Sequence, residues 1–270
     1  MENNLGYKLG FIGAGNMAEA IARAAINQNI VAPGQIIASD PTEARRQLFD
    51  SLGITVTTEN AQVIAQAEQV ILAVKPQMFP NVIDDLTAHV RPDQILISIM
   101  AGIGSEKLSQ MIGKPARIVR VMPNTPMLIG LGMSGIALGH GAQAGDDALA
   151  MQLFSAGGRA ISVTEEQIDV ITAVSGSGPA YVFYLAEAMQ EAATKLGMPD
   201  HAELLASQTL LGAATLLAQS EDSAAELRRK VTSPKGTTQA AIEHMESHQI
   251  KQHLVDAMQK AWDRSKELGQ

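Results

Sequence analysis

From Leu9 to about Val163, short apolar runs rich in β-branched residues alternate with amphipathic stretches. The runs are Leu9–Ile12, Ile36–Ser39, Val70–Val74, Ile95–Ile99 and Ile118–Val121. Met17–Asn27, Glu43–Leu52 and Asn60–Ala67 lie between them and read as helices. Strands alternating with helices imply βαβ units and a parallel sheet buried on both faces. Ser134–Leu138 and Ala160–Val163 flank a helix near Asp146–Ala156, and this later pair is expected at the edge of the same sheet. From about Glu165 the strand-like runs stop. Leu185, Ala188, Met189, Ala192, Ala193 and Leu196 keep helical spacing, as do Leu210, Leu211, Ala214, Leu217 and Ala218, and Leu254, Val255, Met258, Ala261 and Trp262. Gly197 reads as a helix C-cap ahead of Pro199. The pattern predicts a doubly wound α/β domain over 1–164 and an all-α domain over 165–270.

Composition narrows the class. The chain has 270 residues, 46% of them hydrophobic and 18% charged, enough to bury a core without staples. The absence of cysteine excludes disulfides, thiolate metal sites and cysteine nucleophiles. A net charge of −8 argues against nucleic acid as the main partner. No apolar run approaches the roughly 18 residues of a membrane span. Met1–Leu5 carries no basic leader, so a cytoplasmic protein is expected. A helical bundle of about 100 residues with such apolar faces calls for a partner, which predicts a homodimer through this half. The alternative is that these faces cover the first domain.

Candidate chemistry begins at the first strand. Gly13-x-Gly15-x-x-Ala18 follows that strand and opens a helix, which is the context of a dinucleotide fingerprint. Gly13 allows a tight turn, Gly15 lets the backbone approach a pyrophosphate, and the helix amides face the anion. The fold expected is therefore a Rossmann-type sheet. Asp40, ending the second strand, stands near the usual place of the ribose-reading acid. A carboxylate there accepts the ribose hydroxyls of NADH and repels a 2′-phosphate. Arg45 and Arg46 follow closely, so NADPH stays open. Asp40 or Thr42 also suits the cap of the helix starting near Glu43. Two further strand ends, Ala73-Val74-Lys75-Pro76 and Ile99-Met100-Ala101, should face the same crevice. Lys75 is a contact for cofactor or a substrate carboxylate, or a solvated charge after a buried strand.

Three loops remain. Met122-Pro123-Asn124-Thr125-Pro126 suits a rigid wall or a plain turn. Ser175-Gly176-Ser177-Gly178-Pro179-Ala180-Tyr181 leads into a long helix and resembles an anion-binding helix start, or a packing device. Thr232-Ser233-Pro234-Lys235-Gly236-Thr237-Thr238 runs into a helix at Thr238–Glu246. Its amides and hydroxyls would grip a carboxylate, or Thr237 is simply an N-cap. His244 and His248 do not make a zinc motif, and no metal site is expected.

In this order and spacing, Gly10–Met17, Ala73–Pro76, Val121–Pro126, Val174–Tyr181 and Val231–Thr238 resemble pyrroline-5-carboxylate reductases over essentially the whole chain. The resemblance implies reduction of the cyclic imine 1-pyrroline-5-carboxylate to L-proline with NADPH or NADH, the last step of proline biosynthesis. It implies a helical domain that interlocks as a homodimer and, in some members, a ring of dimers. Carried over by motif, Ile12, Gly13, Ala14, Gly15, Asn16 and Met17 hold the pyrophosphate, and Asp40 and Asn60 lie by the adenosine ribose. Ala73, Val74, Lys75 and Pro76 line the cofactor with Ile99, Met100 and Ala101. Ser175, Gly176, Ser233, Gly236 and Thr237 bind substrate, with Thr238 hydrogen-bonded to the ring nitrogen; Thr238 and Lys75 are the catalytic candidates. Two residues depart from the pattern: Lys235, where the family often has glycine, and Asp40, where NADPH-preferring relatives carry a neutral or basic residue. The rivals are a β-hydroxyacid dehydrogenase, whose mid-chain lysine motif has no counterpart after Gly178, and a non-catalytic NAD(P)-sensing protein.

Overall fold

A computed structural model describes residues 6–269. Met1–Leu5, on which the absence of a leader was read, lie outside the described residues, as does Gln270. The strands are β1 (Tyr7–Ile12), β2 (Ile36–Ser39), β3 (Thr55–Thr57), β4 (Ala67–Leu72), β5 (Ile95–Ser98), β6 (Arg117–Met122), β7 (Gly132–Leu138) and β8 (Gly158–Ser162). They form one sheet in the order β3-β2-β1-β4-β5-β6-β7-β8. The first six are parallel, in the doubly wound order that reverses beside β1. The later pair does sit at the edge, but β7 runs antiparallel to β6, and β8 is parallel to β7.

Period-two alternation sends each strand's side chains to two cores. Leu9, Phe11, Ile71, Ile97 and Val119 join the core under α1 (Asn16–Asn27), α2 (Glu43–Ser51) and α6 (Ala148–Ala156). Ile12, Val70, Leu72, Leu96 and Ile118 join the other, under α3 (Asn60–Gln66), α4 (Pro80–His89) and α5 (Ser105–Ile112). At Gly10, a Cβ would lie 2.6 Å from Val63 Cγ1 and 2.9 Å from Ala67 Cβ, so the glycine lets α3 settle onto β1.

Several elements differ from the sequence pattern. The third helix stops at Gln66 because Ala67 already belongs to β4. Three elements were not anticipated: β3, whose Thr55-Val56-Thr57 is a three-residue edge strand, and the short helices α4 and α5. Packing groups the described residues into two compact units: the first runs through Ser177 and takes back Ala261 to Gly269, and the second is Gly178–Lys260. α7 (Ile168–Ile171) belongs with the sheet because Ile168 and Ala173 are buried there and Ile171 fills the space above Gly135.

The second unit holds α8 (Gly178–Lys195), α9 (Ala202–Gln219), α10 (Ala224–Lys230), α11 (Thr237–Ser247) and most of α12 (Ile250–Gly269). Gly197, at φ +95°, terminates α8 as expected: Met198 N donates to Ala193 O at 2.9 Å. α8 buries none of its residues, and Phe183, Tyr184, Leu204, Leu211 and Leu216 are exposed. No helix among the described residues is long and apolar enough to cross a membrane.

Candidate active site

The carboxyl ends of β1, β2 and β4 meet at the fingerprint turn. Gly13 N donates to Ser39 O at 2.8 Å, and Ala73 N donates to Ile12 O at 2.9 Å. Gly13 holds φ +94°, and a Cβ there would come within 2.9 Å of Ala73 O and 3.1 Å of Val74 Cγ1. Gly15 is the N-cap of α1 at φ −69°, with no side-chain cap, and nothing lies within 4 Å of a Cβ placed on it. The turn therefore has a filled side against Ala73 and Val74 and an open side above Gly15. The first amides of α1, at Asn16, Met17 and Ala18, lack i−4 partners, as at any helix start. This cradle fits a dinucleotide pyrophosphate.

The charged side chains around the turn are already engaged in hydrogen bonds. Asp40 Oδ2 accepts from Ala14 N at 2.8 Å, and Oδ1 accepts from Thr42 N at 2.8 Å. Thr42 is the N-cap residue of α2, but its own side chain makes no cap bond; Asp40 is the one that turns back toward the helix. Arg45 Nε donates to Ala14 O, and its Nη2 donates to Glu19 Oε2 at 3.0 Å. Burial opposes ionisation of Glu19, yet hydrogen bonds from Arg23 and Arg45 outweigh it and hold the carboxyl below its usual range. A first-turn carboxylate that would repel an incoming phosphate is thereby neutralised. Arg46 Nη1 donates to Asp40 O at 2.7 Å and Pro41 O at 2.8 Å, which are carbonyls rather than a carboxylate.

Asn60 opens α3 beside this turn. Its Oδ1 accepts from Ser39 Oγ at 2.7 Å, and its amide donates to Asp85 Oδ2 at 3.2 Å. Val74 lies against Gly13, Lys75 is exposed at the end of β4, and Pro76 starts a short 3-10 turn. Ile99 N donates to Leu72 O at 3.3 Å, which ties the turn after β5 to the end of β4; Met100 is buried and Ala101 half-buried.

Ser175 and Gly176 sit in a π-helical turn, Thr172–Gly176, also in the first unit. Asn124 clamps it: the amide donates to Ser175 O at 3.1 Å and Ser175 Oγ at 3.2 Å, while Oδ1 accepts from Met133 N at 2.8 Å. A Cβ at Gly176 would fall 2.8 Å from Met122 Cε, the far end of a flexible side chain that would have to move aside. The sequence marked Asn124 only as part of a wall; its clamp on Ser175, and the Arg45–Glu19 pair, rest on long-range packing that no local spacing reveals.

Ser233, Gly236, Thr237 and Thr238 belong to the second unit. Thr237 is not the N-cap of α11; Gly236 is, with no side-chain cap. The first i−4 bond of the helix is Ala240 N to Gly236 O at 3.2 Å, which leaves the Thr237, Thr238 and Gln239 amides outside the ladder. Gly236 is pinned over Ser233, with its N donating to Ser233 O at 3.0 Å and no room for a Cβ against Ser233 Oγ. Lys235 holds φ +60°, a left-handed conformation that glycine adopts without cost. Its amide donates to Gln239 Oε1 at 2.6 Å. Thr238 is half-buried. Among the described residues, no group of three or more His, Asp and Glu side chains could hold a metal ion.

The strand order and the glycine cradle at the end of β1 define a Rossmann-type dinucleotide-binding protein. Known proteins narrow this class. A family model for NADP oxidoreductase, coenzyme F420-dependent, matches residues 8–102, and one for pyrroline-5-carboxylate reductase dimerisation matches residues 165–268. A pyrroline-5-carboxylate reductase of Pseudomonas aeruginosa is 43% identical over 97% of this chain and 97% of its own length. The solved pyrroline-5-carboxylate reductase of Coxiella burnetii superposes with a TM-score of 0.88 at 37% identity, covering 98% of this chain and 99% of that one. A Plasmodium falciparum pyrroline carboxylate reductase with NADP bound gives 0.86 at 28% identity, covering 98% and 99%. The chain belongs to the pyrroline-5-carboxylate reductase family.

Proposed function

We propose that the protein reduces 1-pyrroline-5-carboxylate to L-proline with NAD(P)H. The observation that carries this reading is the presence, in one chain, of a cradle shaped for pyrophosphate and a turn with open amides and a hydroxyl at the start of α11. Ile12–Met17 would hold the pyrophosphate, Asp40 and Asn60 the ribose, and Ala73–Pro76 with Ile99–Ala101 the reactive ring. The bound dinucleotide supplies the hydride. The chain's own work is placement and charge. The amides of Thr237 and Thr238 bind the substrate carboxylate, aided by the α11 dipole. The Thr238 hydroxyl hydrogen-bonds the ring nitrogen and orients it as that nitrogen turns from imine to amine. Within the first unit, Ser175 and Gly176 are further substrate contacts in this reading, Asn124 holds Ser175 in place, and Lys75 adds positive charge after β4. The exposed apolar faces of α8 and α9 are covered by a second copy, which makes the working unit a homodimer. The test is loss of reduced-nicotinamide absorbance when pyrroline-5-carboxylate is added. Binding of NAD(P)H with no oxidation would favour a sensor, and oxidoreduction only with hydroxyacids the dehydrogenase reading.

The cofactor preference proposed is NADH over NADPH, with both accepted. A carboxylate offers about four lone-pair sites. Two on Asp40 are spent on the Ala14 and Thr42 amides, which leaves acceptors aimed by those bonds for two ribose hydroxyls. The same charge repels a 2′-phosphate. Arg46, held by two carbonyls, tempers that repulsion, whereas the charge of Arg45 is balanced by Glu19. Asp40→Ser should raise kcat/KM for NADPH and lower it for NADH, a combined shift of about tenfold or more. An unchanged NADPH/NADH ratio would remove Asp40 from cofactor choice.

A further inference from the structure

We propose that the C-terminal end of α12 is a positioning element for the cofactor-lining turn after β5, acting through Leu268 on Gly102 and anchored by Ser265 on Asp169. This rests on the reading that Met100 and Ala101 line the cofactor. The turn from Ile99 to Gly104 contains two glycines, so its conformation must be set by outside contacts. Its exit is fixed: Ser105 N donates to Glu165 Oε1 at 2.6 Å, and the same carboxylate pairs with the buried Arg120 at 3.2 Å. Its middle is fixed by α12. Gly102, at φ +74°, lies so close that a Cβ would stand 2.6 Å from Leu268 Cβ and 3.6 Å from Leu268 Cα. A last helical turn ordinarily frays. Here the preceding turn is tied down, because Ser265, only 4% exposed, donates to Asp169 Oδ1 at 2.7 Å. Asp169, Ser265, Arg120 and Gly102 line one cavity beneath this contact. All of these residues belong to the first unit, so the last turns of α12 pack with the sheet-bearing unit rather than the helical one.

Coupling of this kind is reciprocal: a contact that preorganises the turn for the dinucleotide is itself strengthened when the dinucleotide binds. The test uses the full-length chain and NADP⁺. Ser265→Ala should speed hydrogen exchange of the Met100–Ser105 amides and raise the calorimetric Kd for NADP⁺ about fivefold. Asp169→Asn, which keeps an acceptor for the serine, should stay close to wild type in both. Leu268→Gly, which removes the Cβ facing Gly102 from an exposed turn, should repeat the Ser265→Ala result without disturbing the buried hydroxyl. Trp262, the chain's single tryptophan, lies one turn before Ser265 under the Lys266 ammonium at 3.9 Å. Its emission should respond to NADP⁺ in the wild type and less in Ser265→Ala. Unchanged exchange at Met100–Ser105 in both variants would overturn the positioning contact. Faster exchange with unchanged NADP⁺ affinity would also overturn the proposal, and would place the fault in the reading of Met100 and Ala101 as cofactor-lining.

Discussion

Thr238→Ala is expected to lower kcat by about a hundredfold or more and to leave NAD(P)H affinity within about twofold of wild type. The asymmetry follows from where the residue sits. Thr238 is the second residue of α11, in a turn that shares no residue with the fingerprint loop. In the proposed mechanism its hydroxyl would act where the ring nitrogen changes its bonding, so its contribution would grow on the way to the transition state. The amides of the same turn, proposed to bind the carboxylate, should survive the substitution because Gly236 remains the N-cap and its bond to Ser233 O at 3.0 Å does not involve the side chain of Thr238. Substrate KM should therefore rise less than kcat falls. Thr238→Ser keeps the hydroxyl and should recover most of the rate. Stopped-flow hydride transfer with a parallel cofactor titration decides the point. Equal losses in turnover and NAD(P)H affinity would show that Thr238 serves the cofactor or the fold instead.

What the sequence makes legible, and what it hides, has a physical pattern. Strands such as Ile36–Ser39 and Ile95–Ser98 stand out because both their faces are buried, which demands unbroken apolar runs. β3 hides because Thr55-Val56-Thr57 is a half-buried edge with only one neighbour, and three residues carry no periodicity. α4 hides behind Pro76 and Pro80, which read as breakers, although Pro80 is placed at the first helical position, where a missing N–H costs nothing. The fingerprint turn and the α11 turn are legible because their chemistry is carried by contiguous residues. Long-range side-chain pairs are not legible: Glu19 meets Arg45, Asn124 meets Ser175 and Ser265 meets Asp169 only once the chain has folded. The compact packing units do not follow the texture of the sequence for the same reason: Ala261–Gly269 continues a helical pattern without a break, yet Leu268 and Ser265 find their partners in the first unit.

The two fingerprint glycines should fail in different ways when replaced, and the difference tests the cradle itself. Gly13→Ala forces a Cβ to within 2.9 Å of Ala73 O and 3.0 Å of Ala73 C at φ +94°. Neither side can yield, because Gly13 N is bonded to Ser39 O at 2.8 Å and Ala73 N to Ile12 O at 2.9 Å across the centre of the sheet. The left-handed backbone alone costs about 1–2 kcal/mol for a non-glycine residue, and the collision adds to it. Gly13→Ala should therefore lower Tm by several degrees and also weaken NAD(P)H binding by about a hundredfold. Gly15→Ala meets nothing: its φ of −69° suits any residue, and no atom lies within 4 Å of the new Cβ. Its Tm should stay at the wild-type value. Its NAD(P)H affinity should nevertheless fall about tenfold or more if, as proposed, the pyrophosphate approaches the backbone on the open side of the turn. Thermal melts and cofactor titrations on the two variants separate the roles. A Gly15→Ala protein that binds NAD(P)H as tightly as wild type would mean that the dinucleotide does not approach across Gly15, and the assignment of the cradle would fall with it.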